Sequence, residues 1–119
     1  MIEIAQVKML AFPEQLNNIR GAGSQEMKTF VAGTAIKFIM IINNVSATSK
    51  IVISNPMMTL VVDNEDMTKE VDYVYSYVYQ TPSEDVYTGR WIVTYKAIDS
   101  SDNITMLVQD KFTITTQNP

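Results

Sequence analysis

Apolar and polar residues alternate at every second position over much of this chain, the period of a strand with one face buried. The alternation is strictest over residues 71–80. Val71, Tyr73, Tyr75, Tyr77 and Tyr79 fall on one side, and Asp72, Val74, Ser76, Val78 and Gln80 on the other. It returns over residues 89–99, where Trp91, Val93, Tyr95 and Ala97 share a face. A polar stretch follows at 99–103. Met106, Val108, Asp110, Phe112 and Ile114 then alternate, with Leu107 on the opposite side. Two alternating strands around a polar turn predict a closing β-hairpin with a buried tryptophan.

The earlier segments are shorter. Residues 2–10 alternate loosely through Ile2, Ile4, Val7 and Met9, with a break near Ala5 and Gln6, and Pro13 closes them because it cannot donate to a ladder. Residues 34–42 are apolar at nearly every position, which predicts a central strand buried on both faces. Residues 50–54 and 57–62 predict two short strands, separated by Asn55 and Pro56 and closed by an acidic turn at 63–66. Residues 13–28 are the least regular. Leu16 and Ile19 fit one face of a short helical turn, which Gly21 and Gly23 then break. A loop of this length is either a binding or assembly element or a tolerated surface excursion. About seven or eight strands with this turn spacing predict an all-β antiparallel sandwich. It forms one domain over residues 1–119, with a frayed tail at 116–119.

Composition removes several chemistries. The chain has 119 residues, with no cysteine and no histidine. Disulfides and thiolate metal sites are excluded. So are Ser-His-Asp and Cys-His catalysis within this one chain, and the commonest general base is missing. The net charge is −4 and the nine basic residues are scattered, so there is no basic stripe to hold a nucleic-acid backbone. The N-terminus lacks the basic and apolar regions of a signal peptide, and no apolar run reaches membrane-spanning length. The expectation is a non-enzymatic protein made and kept in the cytosol, with no cofactor, no membrane and no direct nucleic-acid partner.

Within that frame the tyrosines are the leading candidates. Tyr73, Tyr75, Tyr77 and Tyr79 on one face, with Tyr87 nearby, form either a stacking platform for a partner or part of the core with hydroxyls at the rim. They cannot all be core, because each buried hydroxyl needs a partner. Asp63, Glu65 and Asp66, or Asp99 and Asp102, offer carboxylates to a hard cation, but neither set has the spacing of a calcium loop and both read as solvated turns. Nothing places two carboxylates across a cleft as glycoside hydrolysis requires. Asn44 and Asn103 match the glycosylation pattern by chance, the eight methionines, including the Met57-Met58 pair, suggest either an adaptable binding surface or, more plainly, core filling, and the Gly21-Ala-Gly23 run is no phosphate loop.

The order Phe30-Val-Ala-Gly33, a long apolar strand, Tyr77-Val-Tyr-Gln-Thr-Pro82, Gly89-Arg-Trp-Ile-Val-Thr-Tyr-Lys-Ala-Ile-Asp99, a turn and Asp110-Lys-Phe-Thr-Ile114 resembles a class of immunoglobulin-like modules. These modules are widespread in bacterial surface proteins and in tailed-phage virion proteins. The resemblance covers roughly residues 30–114. It departs from antibody-type domains in having no disulfide pair, and from a plain module in its long 13–28 segment. Such modules on a cell surface must cross a membrane, whereas virion proteins assemble in the cytoplasm. By analogy the resemblance implies a structural virion component, such as a head-decoration, neck or tail protein. It would dock onto other virion proteins in a symmetric assembly formed in the host cytoplasm. The contacts expected are Leu16, Ile19 and Arg20 in the early loop and Tyr73, Tyr75, Tyr77, Tyr79 and Tyr87. The alternative is a carbohydrate-binding or adhesion module stacking sugars on Tyr75, Tyr77 and Trp91.

Overall fold

A computed structural model of the chain describes residues 3–12, 28–43, 47–99 and 104–116. Nine strands make up nearly all of it: β1 (Ile4–Phe12), β2 (Lys28–Val31), β3 (Ala35–Ile42), β4 (Ala47–Ser54), β5 (Leu60–Asp66), β6 (Thr68–Val71), β7 (Val74–Gln80), β8 (Gly89–Asp99) and β9 (Ile104–Thr115). One 3-10 turn, Asp85–Tyr87, precedes β8. The strands form a four-stranded sheet in the order β1-β3-β7-β6 and a five-stranded sheet in the order β2-β9-β8-β4-β5. The first is the A-B-E-D order of an immunoglobulin sandwich. The second contains the C-F-G order, with one strand added at each edge. Among the described residues all pairings are antiparallel except β2 with β9, which run parallel.

The two alternating strands behave as their pattern requires. On β8, Trp91, Val93, Tyr95 and Ala97 are fully buried, and opposite them on β9 lie Phe112, Asp110, Val108 and Met106. On β3, Ile36, Phe38, Met40 and Ile42 point into the core. Between the sheets the aromatic rings meet around Phe112. Its ring centroid lies 5.8 Å from that of Trp91 in a stacked arrangement, 5.6 Å from Phe38 and 6.1 Å from Phe30. Offset and edge contacts of this kind add to the area they bury.

Two tyrosine hydroxyls tie one sheet to the other. Tyr75 on β7 donates to the carbonyl of Ala47 on β4 at 3.2 Å, and Tyr95 on β8 donates to the carbonyl of Lys8 on β1 at 3.4 Å. The Trp91 indole Nε1–H donates to the Tyr87 carbonyl at 2.9 Å. Among the described residues no buried side-chain nitrogen or oxygen lacks a partner.

Three strand expectations change. The acidic residues 63–66 do not form a turn. They continue β5 along a sheet edge, through an irregular register with β4 and a positive φ of 55° at Asn64. Exposed carboxylates suit an edge, so their polarity did not mark the strand's end. Residues 71–80 are not one strand. β6 ends at Val71, and β7 starts at Val74 after a tight turn in which Tyr73 takes φ 76°. β3 is buried on its inner face only, and its outward residues are half-exposed, because no further layer of described residues covers that side.

Phe112→Ala should lower stability by about 3–5 kcal/mol, since it empties the meeting point of three rings in the buried core. Leu107→Ala, on the outward face of the same strand, should change it by less than about 0.5 kcal/mol. Urea unfolding of both variants checks the pair; similar losses would mean that the core is not centred on Phe112.

Candidate functional site

At one end of the sandwich the two sheets part around a cleft of about 510 Å³. One wall is the turn from β4 into β5, with Asn55, Met57, Thr59 and Val61. The other is the end of β7 and the segment after it, with Tyr79, Gln80, Thr81, Pro82, Glu84 and Tyr87. Trp91 closes the bottom, and its ring lies 6.0 Å from that of Tyr79. Trp91 has no exposed surface of its own, so Met57, Tyr79 and Tyr87 supply the surface a ligand would touch.

Both walls are held by local hydrogen bonds and packing. The buried Asn55 side chain accepts from the backbone N–H of Met57 at 2.9 Å and of Thr59 at 3.0 Å, which folds the tip of the β4–β5 turn around it. Pro56 then packs against Gly89, which takes φ 129°; a Cβ there would lie 3.3 Å from the proline ring. On the other wall the Thr81 hydroxyl donates to the Thr34 carbonyl at 2.7 Å and accepts from the Gly33 N–H at 3.1 Å. The Gln80 side-chain amide donates to the Gly33 carbonyl at 2.7 Å. These bonds fasten the end of β7 to the β2–β3 turn.

Beside the cleft, β7 has an open edge. Its pairing with β6 runs only from Val74 to Ser76, whereas its pairing with β3 continues to Gln80. The Ile42 and Thr81 N–H groups bond across to Tyr73 and Thr34, so odd-numbered residues of β7 bond to β3. Alternation then directs the backbone groups of Val78 and Gln80 away from β3, where no described strand lies.

The outer face of the four-stranded sheet mixes apolar side chains with Lys8, Lys37, Ser76 and Gln80. Phe12 and Val78 are 47% and 44% exposed, and Leu10, Ile39, Ile41 and Val74 are half-buried. Lys37 lies among them, 3.0 Å from a Glu70 carboxylate oxygen and 5.9 Å from the centre of the Phe12 ring. The Ser76 hydroxyl also donates to Glu70. That hydrogen bond, with the Lys37 ammonium, holds the Glu70 carboxyl below the usual carboxylate range.

The tyrosines divide among these settings. Tyr75, Tyr77 and Tyr79 face inward opposite Met40, Phe38 and Ile36, so their row is the inner face of β7 and not an exposed platform. Tyr75 is buried, and Tyr77 and Tyr79 are partly buried against the core. Tyr73 leaves the row at the β6–β7 turn and is 45% exposed. Only Tyr79 and Tyr87 reach the cleft. The inward side of β7 is the tyrosine side because those rings span the gap between sheets, which valine at 74 and 78 cannot. Leu16, Ile19 and Arg20, and Asp102 of the second acidic pair, lie outside the described residues. Asp63 and Asp66 are spread along β5, and Asp66 is paired with Lys50 at 2.6 Å. Among the described residues no three acidic side chains gather as a metal site would need. Sequence reasoning preferred core filling for the Met57-Met58 pair, but both side chains are exposed and Met57 lines the cleft; it missed Thr81, Pro82 and Glu84. The Asn55-Pro56 and Pro82 turn signals were visible, but not that the fold sets them across from each other.

No protein-family model and no curated protein sequence matches this chain. Among solved structures, that of CopC from Methylosinus trichosporium OB3b is similar to it, with a TM-score of 0.57 over 100% of this chain and 98% of the other. The identity is 12%, and the likeness is one of fold.

Burial raises the ionisation of Tyr77, Tyr79 and Tyr95 above the ordinary tyrosine range, most strongly for Tyr95; the charges of Glu65 near Tyr77 and Asp110 near Tyr95 act in the same direction. A raised folded-state value means that stability is complete below the unfolded value of about 10 and is lost as pH rises beyond it. The urea midpoint should therefore fall between about pH 9 and about pH 11, and Tyr95→Phe should flatten that fall. An unchanged slope in the variant would show that Tyr95 does not govern the alkaline limit.

Proposed function

We propose that this protein is a non-enzymatic docking module, a structural component of a tailed-phage virion that binds other virion proteins in a symmetric assembly. The observation that carries the docking part is the apolar part of the outer face of β1, β3 and β7, with Phe12 and Val78 exposed across it. Apolar side chains that face water on a sheet exterior gain most when a partner covers them. The virion part rests on the resemblance of residues 30–114 to modules of that kind and on an immunoglobulin strand order that supports it. Assembly would take place in the host cytoplasm. The carbohydrate-binding alternative has less to work with, since two of its three stacking rings, Tyr75 and Trp91, are core residues.

Sizing the purified protein by light scattering, alone and with head, neck and tail proteins encoded beside it, tests this reading. A stable complex with one of them is expected, and Phe12→Ser should weaken it at least about ten-fold without lowering the unfolding midpoint, because Phe12 is half-exposed. Failure to bind any of them, with saturable binding to a glycan array instead, would sink the docking reading in favour of the alternative.

A further inference from the structure

We propose that the open edge of β7 at Val78 and Gln80 accepts one extended peptide segment from a partner protein, with apolar side chains in the cleft and basic side chains at its ends. This deepens the docking reading and rests on it. The edge supplies the main-chain part of the site. A segment laid alongside at strand spacing finds the N–H and C=O groups of Val78 and Gln80 directed toward it. The cleft supplies the side-chain part. Every second residue of an added strand points to the same side as Tyr77 and Tyr79, and on that side the cleft is lined by Met57 on one wall and by Tyr79 and Tyr87 on the other.

The two neighbouring sheet edges are not equivalent. β5 carries an irregular register, a left-handed Asn64 and the exposed carboxylates of Asp63, Glu65 and Asp66, all features that discourage strand pairing. Residues 77–80 of β7 read Tyr-Val-Tyr-Gln, regular in register with β3 and uncharged. Strand addition is thus blocked on one side of the cleft and left open on the other.

Charge selects the partner. Glu65, Glu84 and Asp85 stand exposed around the site, and none is in an ion pair among the described residues. The nearby lysines are already engaged: Lys50 with Asp66, Lys96 with Asn64 and Lys37 with Glu70. A segment with leucine or valine at alternate positions and lysine or arginine at its ends complements this surface, and an acidic one is repelled. Pro82 and the 3-10 turn Asp85–Tyr87 bound the site at the end of β7 and keep the added strand short.

The test uses the full chain and two blocked synthetic peptides with the same alternating leucines, one with lysines at both ends and one with glutamates. Trp91 is the sole tryptophan and lies beneath the cleft, so its fluorescence reports occupancy. The lysine peptide should shift it saturably and bind at least about ten-fold more tightly than the glutamate peptide. It should also slow amide exchange at Val78 and Gln80. Val78→Pro removes the outward N–H at a position where an edge strand tolerates proline, and should abolish binding while the unfolding midpoint stays within a few degrees. Glu84→Gln, which leaves the backbone untouched, should weaken the lysine peptide alone. Equal binding of both peptides, or binding unaffected by Val78→Pro, would overturn the proposal. If Val78→Pro still joins a virion complex that Phe12→Ser disrupts, strand addition fails while docking stands. If no virion protein binds the wild-type chain at all, the docking reading itself fails.

Discussion

Everything in this fold depends on two sheets finding enough apolar surface to share without a disulfide between them. The chain meets that need with rings. Phe112 sits where Trp91, Phe38 and Phe30 converge, drawing on both strands of the closing hairpin, on β3 and on the short parallel strand β2. A cross-link lowers the entropy of the unfolded chain. A ring cluster instead stabilises the folded state through burial, and each large ring removes on the order of 150–250 Å² from water. The tyrosines extend this solution to the margins. Tyr75 and Tyr95 bury their rings and place each hydroxyl on a carbonyl of the opposite sheet, so the polar end becomes a tie and not a cost.

This division of labour explains which parts of the structure were legible in the residues. Period-two alternation reports a strand whose two faces meet different environments, and β7, β8 and β9 are such strands. The buried tryptophan, the closing hairpin and the sandwich class followed from it directly. Alternation does not say which face is which. In β7 the tyrosine side and the valine side are both apolar enough for the core, and only the gap between sheets, wide enough for rings, decides. Polarity also misplaced the end of β5. Acidic residues mark a turn in an interior strand, but at an edge they are compatible with continued pairing, and edge position is a property of topology.

The cleft was illegible for a related reason. Asn55, Pro82 and Glu84 each read as ordinary turn residues, and nothing in their spacing links residues 55–61 to residues 79–91. They meet because β4 and β8 are neighbours in one sheet while β7 belongs to the other, and because β6 is too short to follow β7 to its end. A site made by the early end of one strand is invisible to local pattern.

The same shortness bears on how a small sandwich avoids pairing with the wrong chain. Open edges are hazardous because their backbone groups bond any extended segment with little regard for sequence. A bulged and acidic β5 meets the hazard by repulsion. At β7 the exposed stretch is only four residues, too short to hold a strand by main-chain bonds alone. A partner must also fill the cleft beside Tyr79 and match the carboxylates at the lip. Specificity then comes from limiting the nonspecific part of the interaction, so that side chains decide the outcome. A longer open edge would bind more tightly and discriminate less, and the start of β6 at Thr68, opposite Ser76, is what sets that balance.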